Sequence, residues 1–140
     1  MSETLARVDL EFDHLGLATK DMARARKLLS NLGYTVSEVV PVPVQTVNVC
    51  FARSPGHPTI ELIEPASDGS PIEKILEKVG SGPYHLCYRT VDLSVTAREL
   101  KARGFIALGP EFVSGPLGEQ RTGFFHNASI GMIEVTETKR

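Results

Sequence analysis

An α+β fold built from two tandem β-α-β-β-β modules is what this sequence predicts, on two internal echoes and one change of pattern. The first echo is gapless: His14–Gly33 (HLGLATKDMARARKLLSNLG) matches His85–Gly104 (HLCYRTVDLSVTARELKARG) and pairs His14 with His85, Asp21 with Asp92 and Gly33 with Gly104. The second closes each copy, where Thr59-Ile60-Glu61-Leu62 is answered by Met132-Ile133-Glu134-Val135 and Phe51 by Phe124. Within each copy an alternating stretch gives way to one helical period and then to three β-branched runs. Two copies are too few for a solenoid, so the halves share one core.

Size and charge narrow the possibilities. The 140 residues, 41% hydrophobic and 23% charged, suit one globular domain able to bury a core. With 15 Lys and Arg against 17 Asp and Glu, no basic field favours nucleic acid or an acidic membrane, and neither partner is expected. No apolar run approaches the roughly 20 residues of a membrane span, and the start MSETLARVDLEF lacks a basic head and an apolar signal core; cytoplasm is the expected location. Cys50 and Cys87 show no CxxC spacing and read as free thiols.

The first strand is expected from about Val8 to Thr19, with Phe12, His14, Gly16 and Ala18 on one face and Asp13, Leu15 and Leu17 on the other. Asp21 caps a helix whose Met22, Ala25, Leu28, Leu29 and Leu32 recur at helical spacing, and Gly33 stops it. Strands follow at Tyr34–Val44, Thr46–Ala52 and Thr59–Ile63, parted by proline- or glycine-bearing turns. Ser70-Pro71-Ile72-Glu73 then opens a connector helix, with serine at the cap, proline first and glutamate third, which Gly80-Ser81-Gly82-Pro83 ends.

The second copy repeats the order: strand Tyr84–Val91, helix Asp92–Arg103, then strands near Phe105–Leu108, Arg121–His126 and Ile130–Thr136. The segment Gly109–Gln120 reads as a lid or a long hairpin connection, with the lid preferred. One domain over residues 1–140 results, with module 1 at about 8–65, the connector helix at about 70–80 and module 2 at about 84–137.

The period of two sets Glu61 opposite Ile60 and Leu62, Glu134 opposite Ile133 and Val135, His14 opposite Leu15 and Leu17, and His85 opposite Leu86 and Tyr88. All four polar residues thus share the face away from the helices. If the eight-stranded sheet curls, that face lines a cavity holding two imidazoles and two carboxylates. His14, Glu61, His85 and Glu134 are therefore the expected ligands of one divalent metal, a set suited to Co, Ni, Zn, Mn or Fe. A metal also supplies the charge that buried carboxylates need. His57 and His126, in or beside turns, read as surface residues.

This pattern resembles the vicinal oxygen chelate superfamily, which includes glyoxalases, bleomycin-resistance proteins and ring-cleaving dioxygenases, and the match covers nearly the whole chain. The likeness is strongest to the methylmalonyl-CoA epimerases: FDHLGLATKD at Phe12–Asp21, IELIEPASDGSPIEKILEKVGSG at Ile60–Gly82 and YHLCYRTVD at Tyr84–Asp92. The chain departs from those epimerases at Tyr84-His85, where they have two histidines, at Gly115-Pro116-Leu117-Gly118 and at Ile130-Gly131-Met132-Ile133-Glu134.

The resemblance implies the same four ligands, a divalent metal, and a metal-dependent isomerase or lyase acting on an acyl-CoA thioester through an enolate; an exposed edge strand in each module makes a homodimer the expectation. Glu134, then Glu61, are the expected proton carriers. Glyoxalase I, the lactoylglutathione lyase, carries the same carboxylate ligands and is the first alternative; a non-catalytic small-molecule-binding resistance protein is the second. A dioxygenase fits poorly, because a fourth protein ligand at Glu61 crowds the positions that substrate and dioxygen need.

Overall fold

A computed structural model describes residues 7–114 and 120–138. In chain order the elements are β1 (Glu11–Ala18), α1 (Met22–Asn31), β2 (Thr35–Val36), β3 (Val40–Val42), β4 (Val47–Arg53), β5 (Ile60–Pro65), α2 (Ile72–Val79), β6 (Gly82–Thr90), α3 (Leu93–Ala102), β7 (Ile106–Ala107), β8 (Phe112–Ser114), β9 (Gln120–Asn127) and β10 (Gly131–Glu137). All strands join one open sheet in the order β2-β4-β5-β1-β6-β10-β9-β7, with β3 alongside β4 and β8 alongside β9. Among the described residues no helix is long and apolar enough to cross a membrane.

Each module sets its first strand parallel to its last, β1 to β5 and β6 to β10, and the modules meet where β1 runs antiparallel to β6. The fold is the expected α+β pair of modules, with ten strands rather than eight because the strand after each long helix is in two pieces. In module 1 the break follows Ser37. Its amide donates to the Phe51 carbonyl while its hydroxyl accepts from the Phe51 amide, both at 2.8 Å, so the side chain takes the place of a ladder carbonyl. Pairing resumes at Val40, and Pro43–Gln45 form a 3-10 turn where an unbroken strand to Val44 was expected.

In module 2 the second piece lies in the segment expected as a lid. Phe112–Ser114 pair with Gln120–Thr122, so the described part of Gly109–Gln120 is a hairpin arm and the lid reading is not met there. Residues 115–119, including the Gly115-Pro116-Leu117-Gly118 departure, lie outside the described residues.

Local signals hold both long helices in place. Asp21 Oδ1 accepts from the Arg24 amide at 3.0 Å and Asp92 Oδ1 from the Val95 amide at 3.1 Å, contributing about 1 kcal/mol each. Gly33 and Gly104, at φ 100° and 90°, supply the left-handed residue after each helix. The connector helix differs from expectation at its start. Ser70 Oγ is buried without a hydrogen-bond partner among the described residues, and the glutamate alone reaches back, Glu73 Oε1 accepting from the Gly69 amide at 2.6 Å.

Three apolar clusters divide the core. Helix α1 packs Met22, Ala25 and Leu29 on Leu17, Cys50 and Leu62, and α3 packs Leu93, Ala97 and Leu100 on Phe125, Ile133 and Val135. Both clusters lie on the face opposite the histidines. Helix α2 instead packs Ile72 and Leu76 against Ala18, Val49 and Ile63, on the histidine face. The connector therefore closes one end of the inner surface, a placement that sequence spacing did not reveal.

Candidate metal centre

Register brings the four expected ligands together at the seam between modules. Gly16 on β1 is paired with Glu61 on one side and His85 on the other; Cys87 on β6 is paired with Glu134 and His14. Each histidine thus lies beside the opposite module's central residue. His14, Glu61, His85 and Glu134 are all buried, and one ligand atom from each lies within 4.8 Å of the others. His14 Nε2 is 3.2 Å from Glu61 Oε1 and 3.6 Å from Glu134 Oε1; His85 Nε2 is 3.1 Å from Glu134 Oε1 and 4.0 Å from Glu61 Oε1. His57 is exposed and His126 half-buried, both outside this cluster.

The donor set fits a divalent cation. Donors held about 2.0–2.2 Å from one ion stand roughly 3–3.5 Å apart in tetrahedral or octahedral arrangements, close to the separations here. His85 is more telling: both ring nitrogens are buried without a hydrogen bond among the described residues, although Nε2 is 3.1 Å from Glu134. That nitrogen is near the carboxylate but off its line, so a common third partner satisfies both better than they satisfy each other.

Aromatic rings flank the cluster. The Phe51 ring stands 5.7 Å from that of His14, and the Phe124 ring 5.7 Å from that of His85, each edge-on. Phe51 pairs with Glu61 and Phe124 with Glu134 across neighbouring strands, so the two rings repeat the internal symmetry.

A β-bulge precedes each histidine. The β1–β6 register slips between Phe12 and His14 and again between Gly16 and Leu17, where β6 skips Tyr84. The first slip corrects the expected facing of Phe12 and Asp13. Phe12 packs edge-on to Tyr88, 5.8 Å away on the α3 side, while Asp13 Oδ2 sits 2.6 Å from His14 Nδ1. The second slip turns Tyr84 onto the inner face, its ring 4.5 Å from that of His85. His14 thus has a carboxylate behind it and His85 a phenol ring.

Electrostatics follow from this packing. Burial opposes a charge on His14, yet its hydrogen bond to Asp13 and its contacts with Cys87, Glu134 and Glu61 outweigh that and raise its pKa far above the ordinary imidazole value. Burial likewise opposes a charged Glu134, but the close His14 and His85 rings bring its pKa well below the usual carboxylate range. Asp13 is lowered first by its bond to His14. Burial, partly offset by His14, pushes the Cys87 thiol up to about 12, so it is no thiolate nucleophile. Burial, with Glu61 and Glu134 adding to it, keeps the Tyr84 phenol neutral.

Two predictions arise here. Asp13→Asn removes the carboxylate that orients His14 and should weaken metal affinity about 10–100-fold, measured by competition against a chromophoric chelator; unchanged affinity would remove Asp13 from the site. The metal-free protein should be most stable between about pH 4.5 and 6.5. Glu134, with its folded pKa depressed, contributes stability present above its ordinary 4.5 and lost as pH falls toward the folded value. His14, with its folded pKa raised, contributes stability present below 6.5 and lost as pH rises toward the folded value. Thermal melts across that range, flattened on the acid side in Glu134→Gln, are the check.

Comparison with known proteins agrees with this architecture. The family model described as the glyoxalase/bleomycin resistance protein/dioxygenase superfamily matches residues 13–124. The chain belongs to that superfamily. Among the superfamily's characterised members it is 31% identical to human mitochondrial methylmalonyl-CoA epimerase over 125 residues, covering 88% of this chain and 70% of that one. It is 34% identical over 99 residues to the ethylmalonyl-CoA/methylmalonyl-CoA epimerase of Cereibacter sphaeroides, covering 69% and 73%. The crystal structure of methylmalonyl-CoA epimerase from Mycobacterium tuberculosis superposes with a TM-score of 0.79 at 27% identity, over 92% of this chain and 88% of that one.

The four-residue cluster lies where the two modules meet. Sequence reasoning missed Asp13 and Gly16 as parts of that site. A glycine inside a strand is a usable signal of close approach; a one-residue bulge leaves no compositional trace.

Proposed function

We propose that this chain is a metal-dependent epimerase or isomerase acting through an enolate on an acyl-CoA thioester, in the manner of the methylmalonyl-CoA epimerases it resembles. The observation that carries the reading is the pairing of Glu61 and Glu134, one from each module, beside two histidines in a buried cluster. His14, Glu61, His85 and Glu134 would hold a divalent ion, which would supply the positive charge that eases loss of an α-proton. Glu134, kept ionised at neutral pH by His14 and His85, accepts the α-proton, and Glu61, which starts this direction of turnover protonated, gives its proton to the opposite face, the two exchanging roles in the reverse direction. Phe51 and Phe124 flank the two histidines and limit access of bulk water to them.

The free, buried Cys50 and Cys87 suit the cytoplasmic placement that we assign to it. A homodimer belongs to the same reading, since the outer strands β7 and β8 leave Ile106 and Val113 exposed. The test is loss of the α-proton of methylmalonyl-CoA in deuterated water, followed by proton NMR on metal-loaded protein. Exchange well above background, abolished by a chelator, is the expected result. No exchange on methylmalonyl-CoA or on thioesters with larger α-substituents, with metal confirmed bound, would overturn the assignment and move the search to glutathione hemithioacetals, the lyase alternative.

A further inference from the structure

Beside the cluster lies a cavity of about 290 Å³, bounded by the 3-10 turn after β3, helix α2 and the sheet of module 2. None of the four cluster residues lines it; it meets the candidate metal centre through two aromatic rings. Tyr84 and Phe124, which line it, stand against the His85 ring, and Met132 is paired with His85 across β6 and β10. The remaining wall is apolar: Val44, Ile72, Ile75 and Phe112 contribute to it, with the Phe112 ring stacked on that of Phe124. Among the described residues that line it, only Gln45 and Tyr84 carry polar side-chain atoms, and no Lys, Arg, Asp or Glu is present.

A charged group entering this space would meet no charged partner among the described lining residues and would lose part of its hydration. A pantetheine arm, with two amides, needs more hydrogen-bonding partners than two neutral side chains offer. A methyl group occupies about the space of one water, roughly 30 Å³, and leaves most of the cavity unfilled. We propose that this cavity receives the α-substituent of a chelating acyl substrate, and that the substituent is an uncharged alkyl or aryl group larger than methyl. The inference rests on the reading of His14, Glu61, His85 and Glu134 as a metal centre with an acyl substrate bound to it.

The test separates binding from turnover. Methyl-, ethyl-, n-butyl- and benzylmalonate are titrated into the cobalt-loaded protein, with binding read by calorimetry and by the visible spectrum of the cobalt. Affinity should rise about fourfold for each added methylene, and Val44→Asp should flatten that gradient. Val44 is 59% exposed, so the variant keeps its fold. Affinity that is flat or falls with chain length would overturn the proposal. The corresponding CoA thioesters are then assayed for α-proton exchange. A rising affinity without exchange on any thioester leaves the subsite standing and sinks the epimerase reading. Exchange with a flat affinity series sinks the subsite alone.

Discussion

Gly16→Ala should cost the protein its metal site while leaving both modules folded. Gly16 stands in β1 between Glu61 and His85, and a Cβ built on it overlaps the His85 ring. The ring has nowhere to retreat, being buried between Tyr84 at 4.5 Å and Phe124 at 5.7 Å between centroids. Relief comes from turning His85 off the cluster or from parting β1 and β6. Overpacking of this kind costs about 1–3 kcal/mol, whereas losing one of four ligands should lower metal affinity by well over 100-fold. Calorimetric metal titration beside a thermal melt distinguishes the two effects. A variant that binds metal as tightly as the parent would show that His85 is not a ligand. Gly16 has no positive φ, so space rather than backbone freedom is what excludes a side chain.

Glu134→Gln should lower α-proton exchange by about 10²–10⁴-fold, the span that general acid–base groups contribute. Glutamine keeps the shape and can still lean on His14 and His85, but it cannot accept the proton. Glu61→Gln should behave differently: deuterium wash-in from the Glu134 face persists while inversion of the α-carbon is lost. Exchange by proton NMR together with the stereochemistry of the recovered thioester reads both variants. Unchanged kinetics in Glu134→Gln would end its assignment as the base.

Much of this architecture was legible because its signals are local or repeated. Asp21 and Asp92 cap the helices they precede, and Gly33 and Gly104 follow them with the torsions a stop requires. The four cluster residues stood out because each recurs at the matching place in the other copy, and the period of two then sets them on one face. What stayed hidden depends on contacts between distant parts of the chain. The bulges at Asp13 and Tyr84 break the period without changing composition, so Phe12 changed faces and Asp13 became the partner of His14. Ser37 interrupts a strand through a hydrogen bond to Phe51, fourteen residues away, that no spacing announces. The connector helix was readable as a helix, but the face it covers depends on the curl of the whole sheet.

The meeting of β1 with β6 has a thermodynamic meaning. Each module owns one imidazole and one carboxylate of the cluster, so neither half alone presents more than two donors. The complete set exists only while the halves are docked. Any ion that requires all four therefore adds its binding free energy to the module interface rather than to either module. Loading acts as a clasp between the duplicated halves, and opening the seam and releasing the ion become one event.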